Sequence, residues 1–184
     1  MGTNFEREEW RQVYETAFNC TIETKLRSFQ YQVLNRSLVT NKHLYQWNMS
    51  ISERCSFCNQ DVETIEHLLF QCEKVKQFWK EYSDIFHPHL DLNVIVANQK
   101  SVILGATCTQ NRNLVNHLIL LCKKYVYNTR CKNTQLSVEG VLAMVKNCYS
   151  IEYQIACQKS TVQMWNRFNN KWQTLINDHK ELII

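Results

Sequence analysis

The sequence predicts a mainly α-helical fold: one helical domain with a small cysteine-rich knuckle inserted into it. Three observations point that way. Only 3 glycines and 1 proline occur in 184 residues, so few positions break helices or force tight turns. Apolar residues recur at i, i+3, i+4 and i+7 along most of the chain. Between residues 55 and 72 the run CSFCNQDVETIEHLLFQC interrupts that pattern with C-x2-C-x8-H-x4-C spacing.

Residues 4–18 read as a first helix with an acidic opening turn. Residues 21–38 give a second, with Ile22, Leu26, Phe29 and Val33 on one face. Thr40 is a candidate N-cap for a short helix over 41–47. Asn59, Gln60 and Asp61 signal a turn after Cys58. Thr64 would cap a helix over 65–82, with Leu68, Val75, Phe78, Trp79 and Tyr82 as its apolar face. Residues 93–106 are ambiguous between short strands and buried helix. Residues 111–130 form a strong helix with Leu114, Leu118, Leu121, Cys122 and Tyr125 aligned. Ser137 would cap a helix over 138–150, and 151–176 reads as the last. Trp79, Trp165 and Trp172 sit at helical spacing with other apolar residues and are expected in the core.

The chain divides into an N-terminal helical segment (1–50), the knuckle with its following helix (51–86) and a C-terminal helical segment (87–184), or forms one continuous domain. The weakest points lie near Pro88 and around residues 128–135. Net charge is +4, distributed as +1, −3 and +6 over residues 1–50, 51–90 and 91–184. The N-terminus has no apolar signal core, and the apolar runs are too short to span a bilayer. The expected location is therefore intracellular, nuclear or cytoplasmic, without secretion and without a membrane partner. In such a compartment 9 cysteines do not imply a disulfide framework.

Cys55, Cys58, His67 and Cys72 have the donor types and spacing of a structural zinc site. Two residues between Cys55 and Cys58 let both sulfurs turn to one point. His67, at the third position of the helix capped by Thr64, and Cys72 supply the second pair from just over one helical turn. Four protein donors leave no position for a catalytic water, so one structural Zn²⁺ is expected. The alternative is a set of ordinary buried cysteines with a satisfied histidine. A thioredoxin-like redox pair is disfavoured, because no βαβ pattern surrounds it. Cys20, Cys108, Cys122, Cys131, Cys148 and Cys157 show no ligand spacing. Glu63 and Glu66 precede His67, so the H-x-E of zinc deaminases is absent, as is their P-C-x-x-C.

The helix carrying FQYQVLNR, the LVTNKHL element, the knuckle, the ET..HLLF.C motif and the Phe78–Trp79 pair together resemble the zinc-binding region downstream of the reverse transcriptase in non-LTR (LINE-type) retrotransposon proteins. The resemblance covers about residues 10–130 and extends loosely beyond. It implies zinc ligation by Cys55, Cys58, His67 and Cys72. It also implies a role in binding element RNA or target DNA beside an upstream reverse transcriptase domain. The chain has no tyrosine-x-aspartate-aspartate polymerase motif, so it is expected to be a non-catalytic portion or remnant of such a protein.

Phosphate contact needs positive charge, and the knuckle region is acidic. Three thiolates and one Zn²⁺ add a further negative charge. The knuckle is therefore expected to organise neighbouring helices rather than grip nucleic acid. Lys123, Tyr127 and Arg130, with Lys124 and Lys132, are expected to form a basic, aromatic-bearing outer face able to contact unpaired nucleotides. Lys25 and Arg36 share one side of the earlier helix, and Lys74, Lys76 and Lys80 lie just past the knuckle. A merely solvated helix exterior would have the same charge pattern. The competing function is a zinc-stapled helical protein-interaction domain without nucleic-acid affinity.

Overall fold

The computed structural model describes residues 7–87, 90–107, 110–159 and 161–178. These residues contain α1 (Arg7–Cys20), α2 (Thr24–Leu34), α3 (Asn41–Gln46), a π-helical turn (His67–Gln71), α4 (Glu73–Asp84), α5 (Leu92–Val96), α6 (Gln99–Leu104), α7 (Arg112–Lys132), α8 (Val138–Lys159) and α9 (Val162–Asp178). There is no strand among them. A single antiparallel bridge joins Arg54 and Val62. No helix among the described residues is long and apolar enough to cross a membrane. Pro88 and Cys108 lie outside the described residues.

Helix α7 is the axis of the fold. It packs against α1, α2, α8, α9 and the π turn. Every residue from Leu114 to Lys123 is buried, so its first half is enclosed on all sides rather than presenting one apolar stripe. Burial also encloses His117, whose two ring nitrogens have no partner. Its ring meets Trp172 edge-on at 5.6 Å, and burial pushes its pKa well down, which keeps it neutral. Helices α8 and α9 are joined by Glu152, which pairs with Lys171 at 2.8 Å and accepts from Trp172 Nε1 at 2.7 Å. One hydrophobic core runs from Ala17 to Leu175.

The ambiguous stretch resolves as two short helices, α5 and α6. Asn98 caps α6 by accepting from Lys100 N–H at 2.8 Å. The predicted break near residue 150 is absent: α8 continues to Lys159. Trp79 and Trp172 are core residues, whereas Trp165 is 39% exposed and lies beside Phe168 at 5.8 Å. Gly140 leaves room for the end of the Tyr125 ring, which a Cβ there would meet.

Lys123 corrects the expected outer face of α7. It is 2% exposed, and its Nζ donates to Gln30 Oε1 at 2.6 Å and Ile103 O at 3.3 Å. No carboxylate answers it, and burial lowers its pKa to about 7. A lysine whose folded-state pKa is depressed binds its proton better when unfolded. The linked stability is thus full above the unfolded value of about 10.4 and falls as pH drops toward 7. Lys123→Met removes this dependence. Urea unfolding at pH 7 and pH 9.5 should show the stability difference moving in favour of wild type at the higher pH, by on the order of a few kcal/mol. A constant difference would place the ammonium in a solvated site.

Candidate metal centre and the predicted nucleic-acid face

The knuckle is a short antiparallel loop closed by backbone bonds. Cys55 N–H donates to Asp61 O and Glu63 N–H to Glu53 O, both at 2.8 Å. Asn59 takes the left-handed conformation, with φ of 56°, which asparagine tolerates at such turns. Phe57 N–H points to Cys55 Sγ at 3.4 Å. The second donor pair comes from the following turn. Thr64 Oγ1 accepts from His67 N–H at 3.0 Å, which makes Thr64 the N-cap that the sequence predicts.

From there the chain departs from the expected continuous helix. At about 100° per residue, five α-helical steps would leave His67 and Cys72 about 140° apart around the axis. The chain forms a π turn instead, closed by Cys72 N–H to His67 O at 2.9 Å. This wider turn brings the two donors back to one side. Cys72 then leaves helical geometry, with ψ of 128°, and precedes α4. Trp79 Nε1 donates to Leu69 O at 2.9 Å and so satisfies a carbonyl within the π turn.

The four donor atoms lie within 4.8 Å of one another. Zinc–sulfur and zinc–nitrogen bond lengths set tetrahedral edges of about 3.8 Å between sulfurs and about 3.6 Å between sulfur and nitrogen. Cys55 Sγ and Cys72 Sγ are 3.9 Å apart, and Cys58 Sγ is 3.4 Å from His67 Nε2. The set therefore fits Zn²⁺ with Nε2 as the histidine donor. The other ring nitrogen, Nδ1, lies 3.8 Å from Asp61 Oδ2, an exposed carboxylate beyond hydrogen-bond reach. Cys72 is readied as a thiolate. The Cys55 thiol and the backbone N–H groups of Val75 and Lys74 donate to it and hold its pKa below the ordinary thiol range. The start of α4 favours the same anion.

Behind the knuckle sits Glu63, fully buried. Its Oε1 accepts from Asn41 N–H at 2.8 Å and from Arg130 Nε at 2.9 Å. Its Oε2 accepts from Ser56 N–H and Ser56 Oγ, both at 2.8 Å. Arg130 Nη2 donates to Asn41 Oδ1 at 2.6 Å. The carboxylate thus ties α3, the knuckle and the end of α7 together. In the sequence Glu63 stands as a deaminase-like carboxylate before His67 and as the first residue of the ET..HLLF.C motif. Its one local mark is its place just before the capping Thr64, which does not announce burial.

The predicted nucleic-acid residues are scattered rather than gathered on one face. Lys123 is internal, and the Arg130 side chain is 8% exposed against Glu63. Their expected outer placement fails because the first half of α7 is enclosed and its end is docked on the knuckle. Tyr127 donates to Val39 O at 3.3 Å and packs on Phe29. Lys124 lies over the Phe29 and Tyr127 rings, at 4.9 and 5.6 Å. Arg36 pairs with Glu66 at 2.7 Å. Lys25 and Lys132 are exposed.

Two outcomes test this centre. Cys58→Ser should release one zinc per chain and unfold the knuckle and the π turn, because structural zinc contributes about 10–16 kcal/mol in finger peptides. Metal analysis of reductively purified protein and far-UV circular dichroism read both effects. Arg130→Ala should cost about 3–5 kcal/mol in urea unfolding by leaving a buried carboxylate unpaired, while Lys132→Ala, at an exposed site, should change stability by about 0.5 kcal/mol or less.

No curated protein and no solved structure matches the chain. A family model does, over residues 3–79. That span contains all four metal donors, and also Asn41, Ser56 and Glu63 behind them. The zinc-binding site of this chain therefore lies in a segment, residues 3–79, that matches the family of zinc-binding regions in reverse transcriptase, zf-RVT.

Proposed function

We propose that the chain is a non-catalytic, zinc-stabilised module that binds nucleic acid, RNA or DNA, beside a reverse transcriptase domain of a non-LTR retrotransposon protein. The observation that carries this reading is the match of residues 3–79 to a zinc-binding family of reverse transcriptases, enzymes whose templates and products are nucleic acids. The +6 excess over residues 91–184 supports it, since phosphate neutralisation supplies most non-specific affinity. The metal's role is structural: Cys55, Cys58, His67 and Cys72 would supply all four donors of a zinc ion, which would leave no position for a water nucleophile.

A second reading, a zinc-stapled protein-interaction domain, is favoured by one patch. Tyr45, Trp47, Met49 and Ile51 are 48%, 55%, 72% and 101% exposed, and such residues are enriched in protein interfaces. Salt dependence separates the two. On the first reading, log K for single-stranded RNA falls linearly with log salt. Changing Lys25, Lys124 and Lys132 together to Gln then lowers the slope by about 2, at about 0.7 per contact. Fluorescence anisotropy at several salt concentrations measures this. Absence of binding at low salt removes the first reading.

A further inference from the structure

Three of the 11 basic residues between 91 and 184 are engaged inside the molecule, at Lys123, Arg130 and Lys171. Two arginines are placed differently. Arg112 opens α7 and Arg167 lies on α9, and both line a polar cleft of about 360 Å³ together with Asn19, Asn113 and Phe18. None of the lining residues is acidic. Arg167 Nη2 donates to the carbonyls of Phe18 at 3.3 Å and Asn19 at 3.5 Å. This holds the guanidinium at the end of α1. The side chain of Asn111, at the N-cap of α7, accepts no hydrogen bond from the first turn, and the N–H groups of that turn add partial positive charge beside Arg112.

At the same cleft the Phe18 ring is 58% exposed. Arg27 lies over it, 4.9 Å from the ring centroid. A helix start with two guanidinium groups suits a phosphate, which arginine can hold through two parallel bonds. An exposed ring beside it suits an unpaired base. A duplex would keep its bases stacked on one another and away from Phe18.

We propose that this cleft takes one phosphate of an unpaired nucleic-acid strand between Arg112 and Arg167, with a neighbouring base stacked on Phe18. The proposal rests on the nucleic-acid reading above and locates its contact away from the knuckle. The test is salt-titrated binding of a labelled single-stranded oligoribonucleotide to wild type, Arg112→Gln, Arg112→Gln/Arg167→Gln and Phe18→Ala, with melting temperatures recorded for each. Arg112→Gln should lower the slope of log K by about 0.7 and the double variant by about 1.4. Phe18→Ala should weaken binding on the order of tenfold with the slope unchanged. Because Arg167 also holds the end of α1, Arg112→Gln alone decides the matter if the double variant melts early.

Inorganic phosphate separates the two sources of the group. If phosphate raises the melting temperature of wild type but not of Arg112→Gln, while oligomer slopes are equal, the cleft holds a free ion and the strand proposal is overturned. Wild-type slope and phosphate response in Arg112→Gln overturn the site and leave the nucleic-acid reading standing. A wild type that binds no oligomer overturns both.

Discussion

The carboxylate of Glu63 is the constraint around which this molecule is arranged. A fully buried carboxylate is costly unless every lone pair is met. Here the partners come from three places in the chain: Asn41 at the start of α3, Ser56 inside the knuckle and Arg130 near the end of α7. Each partner is local to its own element, so satisfying the charge fixes where the elements meet. The knuckle sits against α7 where the Arg130 guanidinium meets the Glu63 carboxylate at 2.9 Å.

The metal donors impose a second, local constraint. Cys55 and Cys58 need a tight loop, and His67 and Cys72 need a common side. An α-helix cannot give a five-residue spacing that common side, so the backbone widens into a π turn and then breaks at Cys72. The break does two further things. It frees the start of α4 to stabilise the Cys72 sulfur, and it turns α4 so that Tyr82 donates to Leu118 O at 3.2 Å. Metal chemistry, helix geometry and core packing thus agree at one residue.

The helical class and the four donors were legible in the sequence because both are encoded locally, in residue spacing and in donor type. The Thr64 cap was legible for the same reason. The π turn was not: it follows from the needs of a metal that no helix propensity reflects. The placement of Lys123 and Arg130 was missed because a charged residue normally marks an outer face. Periodicity along α7 shows which residues align, but it cannot show that other helices enclose the far side as well. Trp165 fails in the opposite direction: an apolar residue at core spacing near the start of α9, it stays partly exposed.

The link between Glu63 and Arg130 spans 67 positions of sequence, and it bears on how far the zinc-bearing segment is a portable unit. A chain cut after residue 86 would keep every metal donor yet lose the guanidinium that neutralises the carboxylate behind them. Transplanted onto another protein, such a piece would carry an unanswered buried charge and a bare apolar flank where α7 had been. Recombination or truncation would therefore be tolerated only at points that keep α7 with the knuckle, which makes the heritable unit larger than the cysteine motif that marks it.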